Sequence, residues 1–138
     1  MPENTTPFEV KDPQLKRLHD EADRIQSYMD ESANLDDPTS LTVRLNHLDV
    51  YLSRLSDMMS RSKALRDRAQ YNYLVENEDT LSKLSATVSN RRISTHLFEF
   101  SMTYSRLDTM YGAIERLTRD LVTQISYIKS QMNSGLCP

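Results

Sequence analysis

Leu41, Leu45, Leu48, Leu52, Leu55 and Met59 recur at alternating steps of four and three. Such an alternation averages about 3.5 residues, so these side chains keep facing one way along an α-helix and bury against a partner helix, whereas a strand would alternate at two. The same register then meets Ser62, Arg66, Ala69 and Tyr73. The apolar stripe gives way there to Leu65-Arg66-Asp67-Arg68-Ala69-Gln70-Tyr71-Asn72-Tyr73, which is charged and aromatic. A helix whose seam changes character in this way does more than pack.

The rest of the chain is patterned in the same manner. Asp12 before Pro13 reads as an N-cap with proline at the first helical position, and Leu15, Leu18, Ala22, Ile25 and Met29 mark a first helix ending near Ser32. Asn34 to Ser40 is a turn and a new start, with Asp37 or Thr39 able to accept the orphan amide hydrogens of the next helix. That second helix runs from Pro38 or Ser40 into the seventies. Val75 to Thr80 is either a brief break, with Asn77 closing one helix and Asp79 capping another, or, lacking glycine and proline, part of one unbroken rod. Leu81, Leu84 and Val88 begin a further stripe. After Ser89-Asn90-Arg91-Arg92, where a second break is possible, it resumes with Leu97, Phe100, Tyr104, Leu107, Tyr111, Ile114, Leu117, Leu121, Ile125, Ile128 and Met132, and Asn133-Ser134-Gly135 stops it.

With only 2 glycines among 138 residues, turn-formers are scarce, and the expected fold is all-α. It is an elongated helical hairpin or bundle of long amphipathic, coiled-coil-like helices, one domain over residues 13–138 behind a flexible arm at 1–12 containing Pro2 and Pro7. Helices of roughly 35 to 50 residues reach about 50 to 75 Å, longer than a compact domain of this size. They either fold back as a hairpin carrying the short first helix or complete their core with other copies, and both leave apolar stripes that favour a homo-oligomer. Tyr51, Met58 and Leu65 form such an extra stripe, facing either the first helix or another subunit.

Several chemistries find no support. His19, His47 and His96 form no i, i+4 pair and no Glu-x-x-His falls on a helix, so neither a metal site nor a cofactor is expected. There is no glycine-rich phosphate loop, no carboxylate pair is singled out for acid and base roles, and the lone Cys137 sits beside the last residue; an enzyme is not expected. A single cysteine excludes an internal disulfide and fits a reducing compartment. No run approaches the roughly 20 apolar residues of a membrane span, and the first residues lack a secretory signal, so the expected location is cytoplasmic, the host cytoplasm if phage-encoded. What remains is binding.

Charge is divided unevenly. Residues 1–37 carry four basic and ten acidic residues, a balance of -6, whereas 38–138 carry thirteen and ten, a balance of +3. Arg54, Arg61 and Arg68, spaced by seven, form one line on the second helix, extended backward by His47 and flanked by Lys63 and Arg66. Guanidinium groups about 10 Å apart can follow a polyanion and release its counterions. Tyr71 and Tyr73 then offer faces for unpaired bases. Arg66 stands in the seam register, so either Asp67 or another acid compensates it or the seam opens there to water or a ligand. Arg91 and Arg92 either continue the positive surface or serve helix-end electrostatics. The acidic first third is either a solubilising face or a cover over the basic line.

The segment from Leu65 to Tyr73, followed by Leu84-Ser85-Ala86 and a long amphipathic C-terminal helix, resembles the UvsY-type recombination mediators of tailed phages. These are small all-helical proteins of about this length, in which two basic residues separated by a spacer precede a tyrosine-bearing stretch and contribute to binding of single-stranded DNA. The resemblance spans roughly residues 40 to 132 and maps the pair onto Arg66 and Arg68, with Tyr71 or Tyr73 as aromatic partner. Asp67 between the two arginines and the acidic first third depart from the family pattern. The resemblance implies a ring-like homo-oligomer that wraps single-stranded DNA, helps displace the single-strand-binding protein and loads a recombinase. The competing expectation is a phage-type helical scaffolding or anti-defence protein that acts by binding another protein.

Overall fold

Asp12 starts the first helix: its Oδ1 accepts from the amides of Gln14 at 2.8 Å and Leu15 at 3.1 Å, two donors that a helix start leaves without intrahelical partners. The computed structural model describes residues 9–31 and 37–134. Along them lie α1 (Pro13–Met29), α2 (Pro38–Glu76), α3 (Glu78–Ser82), α4 (Ala86–His96) and α5 (Phe98–Asn133). Asp37, rather than Thr39, caps α2, accepting from the Thr39 amide at 3.1 Å. The first eight residues of the expected arm, the expected end of the first helix at Ser32, Asn34 to Asp36 of the expected turn, Gly135 and Cys137 lie outside the described residues.

The fold is all-α, with the 39-residue α2 and the 36-residue α5 packed together as a hairpin. At about 1.5 Å per residue they run roughly 58 and 54 Å. Leu41, Leu48, Leu55 and Ser62, seven apart, are fully buried on α2, and Leu107, Met110, Ile114, Leu121 and Ile125 answer them from α5. Each fully buried leucine contributes about 1.5 to 3 kcal/mol over an exposed one, so this seam dominates the core.

The extra stripe on α2 is covered by α1. Tyr51 packs on Tyr28 with ring centroids 5.0 Å apart, Met58 is buried, and Leu65 shares a groove with Leu18. Leu15, Leu18, Ala22 and Ile25 make the buried face of α1. Arg44 pins its C-terminal end by donating to the Met29 carbonyl at 3.1 Å and lying over the Tyr28 ring, a cation at the negative pole of the helix. Val10, within the expected arm, packs against the same core, and the Lys11 amide donates to Glu99.

Two expectations about breaks need correction. Asn77 does end α2, its backbone amide and side-chain Nδ2 both donating to the Tyr73 carbonyl, but Asp79 lies inside the first turn of α3 and caps nothing. Ser89 to Arg92 are not a break: they sit within α4, which Ser85 caps by accepting from the Val88 amide at 3.3 Å. The chain turns instead at Lys83 to Ser85 and at Leu97. Neither α3 nor α4 has a buried residue of its own; at this corner Leu81, Leu84 and Ile93 are half-buried, and Leu97, the residue between α4 and α5, is buried.

Candidate functional site

Seven-residue spacing brings Arg54, Arg61 and Arg68 to one side of α2, where they meet α1. They line an open groove of about 630 Å³ together with Arg17, Asp20, Glu21 and Arg24 of α1, over a floor of Leu18, Ala64 and Leu65. Five guanidinium groups thus converge on one groove whose lining holds two carboxylates. The sequence reading, treating residues 1–37 as an acidic block, missed Arg17 and Arg24. The signal was present in their own seven-residue spacing, which matches that of the α2 line.

The arginines of the line differ in what they touch. Arg54 grips both oxygens of Glu21, Nε donating to Oε1 and Nη2 to Oε2 at 2.8 Å, while Nη1 donates to Asp57 at 3.0 Å. Arg61 Nε reaches the same Asp57 oxygen at 3.2 Å. Arg17, Arg24 and Arg68 make no ion pair among the described residues and are exposed. Two of the three arginines of the expected solvent-facing line are therefore engaged with carboxylates, and the line is free at its Arg68 end. A bidentate contact is strong by geometry, but the Arg54 side chain is 40% exposed, and pairs this accessible contribute at most about 1 kcal/mol. A competing anion can open it.

The bound Arg54 guanidinium holds the Glu21 carboxyl below its ordinary range, and the charges of Arg24 and Arg61 add to the effect. The field that acts on Glu21 thus comes from both walls of the groove. His47, expected to extend the line backward, is engaged elsewhere, its Nδ1 hydrogen-bonded to the Tyr28 hydroxyl at 2.9 Å.

No family model matches the chain, and no curated protein or solved structure matches it either.

Arg66 and Arg68 do not face one way. Two residues along a helix rotate a side chain by about 200°, and the pair lines two different depressions. Arg68 belongs to the α1–α2 groove, while Arg66 borders a smaller one of about 260 Å³ with Gln70, Asn90, Ile93, Ser94, Leu97 and Ser101. Of the two alternatives for a cation in the seam, the second holds: Arg66 is exposed, no acid among the described residues pairs with it, and the seam opens.

The tyrosines divide in the same way. Tyr71 is 67% exposed and lies three residues beyond Arg68, whereas Tyr73 is half-buried and stacks on His96 with centroids 4.3 Å apart. Tyr71 therefore presents a free face; Tyr73 has one face occupied. Lys63 is exposed, as are Arg91 and Arg92 in the middle of α4, so the latter two do not serve a helix end. Among the described residues no group of three or more His, Cys, Asp or Glu is placed to hold a metal ion, and no helix is long and apolar enough to cross a membrane.

Proposed function

We propose that this protein is a non-enzymatic binder of single-stranded DNA that works as a recombination mediator, assembling as a homo-oligomer and helping to load a recombinase where a single-strand-binding protein must be displaced. The observation that carries the reading is the arginine line of α2, running from the paired Arg54 and Arg61 to the exposed and unpaired Arg68 with the free face of Tyr71 three residues beyond it, while the exposed and unpaired Arg66 adds a cation at a second depression. A line of cations neutralises phosphates along a backbone without reading base edges, and an exposed ring stacks on any base. The resemblance of residues 65–73 and 84–86 to the UvsY-type mediators supports the same reading and supplies the recombination role. Lys63, Arg91 and Arg92 extend the positive surface in this proposal.

A scaffolding or anti-defence protein acting through protein contacts is the second reading. Val43 and Val50 on α2 and Val122 and Tyr127 on α5 favour it, since these large apolar side chains stand between 48% and 65% exposed. Anisotropy of a labelled oligothymidylate separates the two. The parent protein should bind with an affinity that falls steeply with salt, and Arg66→Ala with Arg68→Ala should weaken binding about tenfold or more at low salt. A double variant that binds like the parent removes the mechanism, and a parent that ignores the oligonucleotide at low salt leaves the protein-binding reading in place.

A further inference from the structure

Arg17 and Arg24 stand seven residues apart on α1 and face the Arg54, Arg61 and Arg68 line across the groove. We propose that the α1–α2 groove is a tract for the backbone of a single-stranded nucleic acid, that Arg17 and Arg24 form its second wall, and that Glu21 occupies one phosphate position until a strand displaces it. The inference rests on the single-stranded DNA reading and adds to it a site on a helix whose basic and acidic residues balance, within the acidic first third of the chain.

Three observations converge on it. First, the cations outnumber the acids: five arginines line the groove against Asp20 and Glu21, and adding Asp57 at the rim still leaves the charge positive. Like charges crowded on two facing helices repel one another, and a groove with an excess of one sign attracts an incoming ion of the other. Second, Glu21 already shows how an anion sits there. Both of its oxygens take the edge of the Arg54 guanidinium, the same fork that two phosphate oxygens accept. Third, the groove has the right character lengthwise. Leu18, Ala64 and Leu65 give an apolar floor, and Tyr71 stands one turn beyond Arg68 with its ring uncovered. A strand with its phosphates between the two arginine lines can lay a base on that ring.

Glu21 and the strand then compete for Arg54. The carboxylate offers one charge, the strand a series of them, and each phosphate neutralised releases counterions that the internal pair does not. The α1 wall therefore changes how steeply binding depends on salt, as well as how tight it is.

A salt series of oligothymidylate binding tests this. Neutralising two phosphates fewer, Arg17→Ala with Arg24→Ala should flatten the slope of log affinity against log salt by about 1.4. Glu21→Gln should tighten binding severalfold at low salt. In the parent protein, phenylglyoxal should modify Arg17 and Arg24 less when the oligonucleotide is bound, a readout that needs no variant to fold. If the α1 double variant keeps the parent's slope and affinity while Arg66→Ala with Arg68→Ala loses binding, the proposed second wall is overturned and the function stands. Equal phenylglyoxal modification with and without the strand overturns it as well, unchanged affinity in Glu21→Gln removes the competitor role, and a parent protein that binds no oligonucleotide overturns both readings.

Discussion

His19 links α1 to α5 through a chain of hydrogen bonds whose directions assign its protonation state. The Thr103 hydroxyl donates to the Glu99 carbonyl at 2.9 Å, so toward His19 it acts as acceptor, taking the Nε2 proton at 2.8 Å. Nδ1 is then bare and accepts from Arg106 Nη1 at 2.9 Å, while Nη2 of that arginine donates to Asp23 at 2.6 Å. Burial, and next the Arg106 charge, lower the pKa of this ring from its ordinary value of 6.5. The unfolded chain takes up the proton first as pH drops. The stability this site contributes is whole above 6.5 and is lost as pH falls from there through the depressed folded value. Thermal melts should therefore show a lower midpoint at about pH 5.5 than at about pH 7.5, with a smaller difference in His19→Gln. Glu21, depressed chiefly by Arg54, adds a separate acid window: its contribution holds above the ordinary carboxylate range and fades as pH falls through the lowered value.

Within a single element, the most informative position is Gly112, in the interior of the 36-residue α5. Glycine there costs about 1 kcal/mol relative to alanine because it loses more backbone freedom on folding. Among the described residues, a Cβ at this position would meet only Arg116 Nη1, at 3.7 Å, an ordinary contact with the end of a long side chain. Gly112→Ala should stabilise the fold by about 0.5 to 1 kcal/mol, seen as a higher urea midpoint with an unchanged slope. A lower midpoint would mean that the small residue serves a close approach between copies in an assembly. The helices themselves follow the signals that preceded them: Asp12 with Pro13, Asp37 with Pro38, and Asn77 act on amides or carbonyls within four residues.

For the whole molecule, α1 covers one side of the α2–α5 hairpin, and the uncovered surfaces bear on assembly. Val43 and Val50 are seven apart on α2 and 49% and 65% exposed. If they form part of the proposed subunit contact, native mass measurement should return a multiple of 16.0 kDa for the parent, and Val43→Asp with Val50→Asp should shift the distribution toward a single chain without loss of helicity. A parent of 16.0 kDa at all working concentrations would retire the oligomer.

The four-three spacing of Leu41 to Met59, the proline-bearing caps and the long stripe of α5 suffice to specify an all-α chain of long amphipathic helices, because helix periodicity and capping act over seven residues or fewer and are written consecutively in the chain. The site was readable to the same depth: the Arg54, Arg61 and Arg68 line lies on one helix, and so its common face follows from spacing alone. Folding decided what lies opposite. Glu21 reaches Arg54 across 33 residues, Arg17 and Arg24 gain meaning only when α1 docks beside α2, and the two sides of α2 on which spacing sets Arg66 and Arg68 acquire different neighbours, α4 and α5 for the first and α1 for the second. Such pairings depend on where separate helices come to rest, a property of packed faces that no local spacing carries.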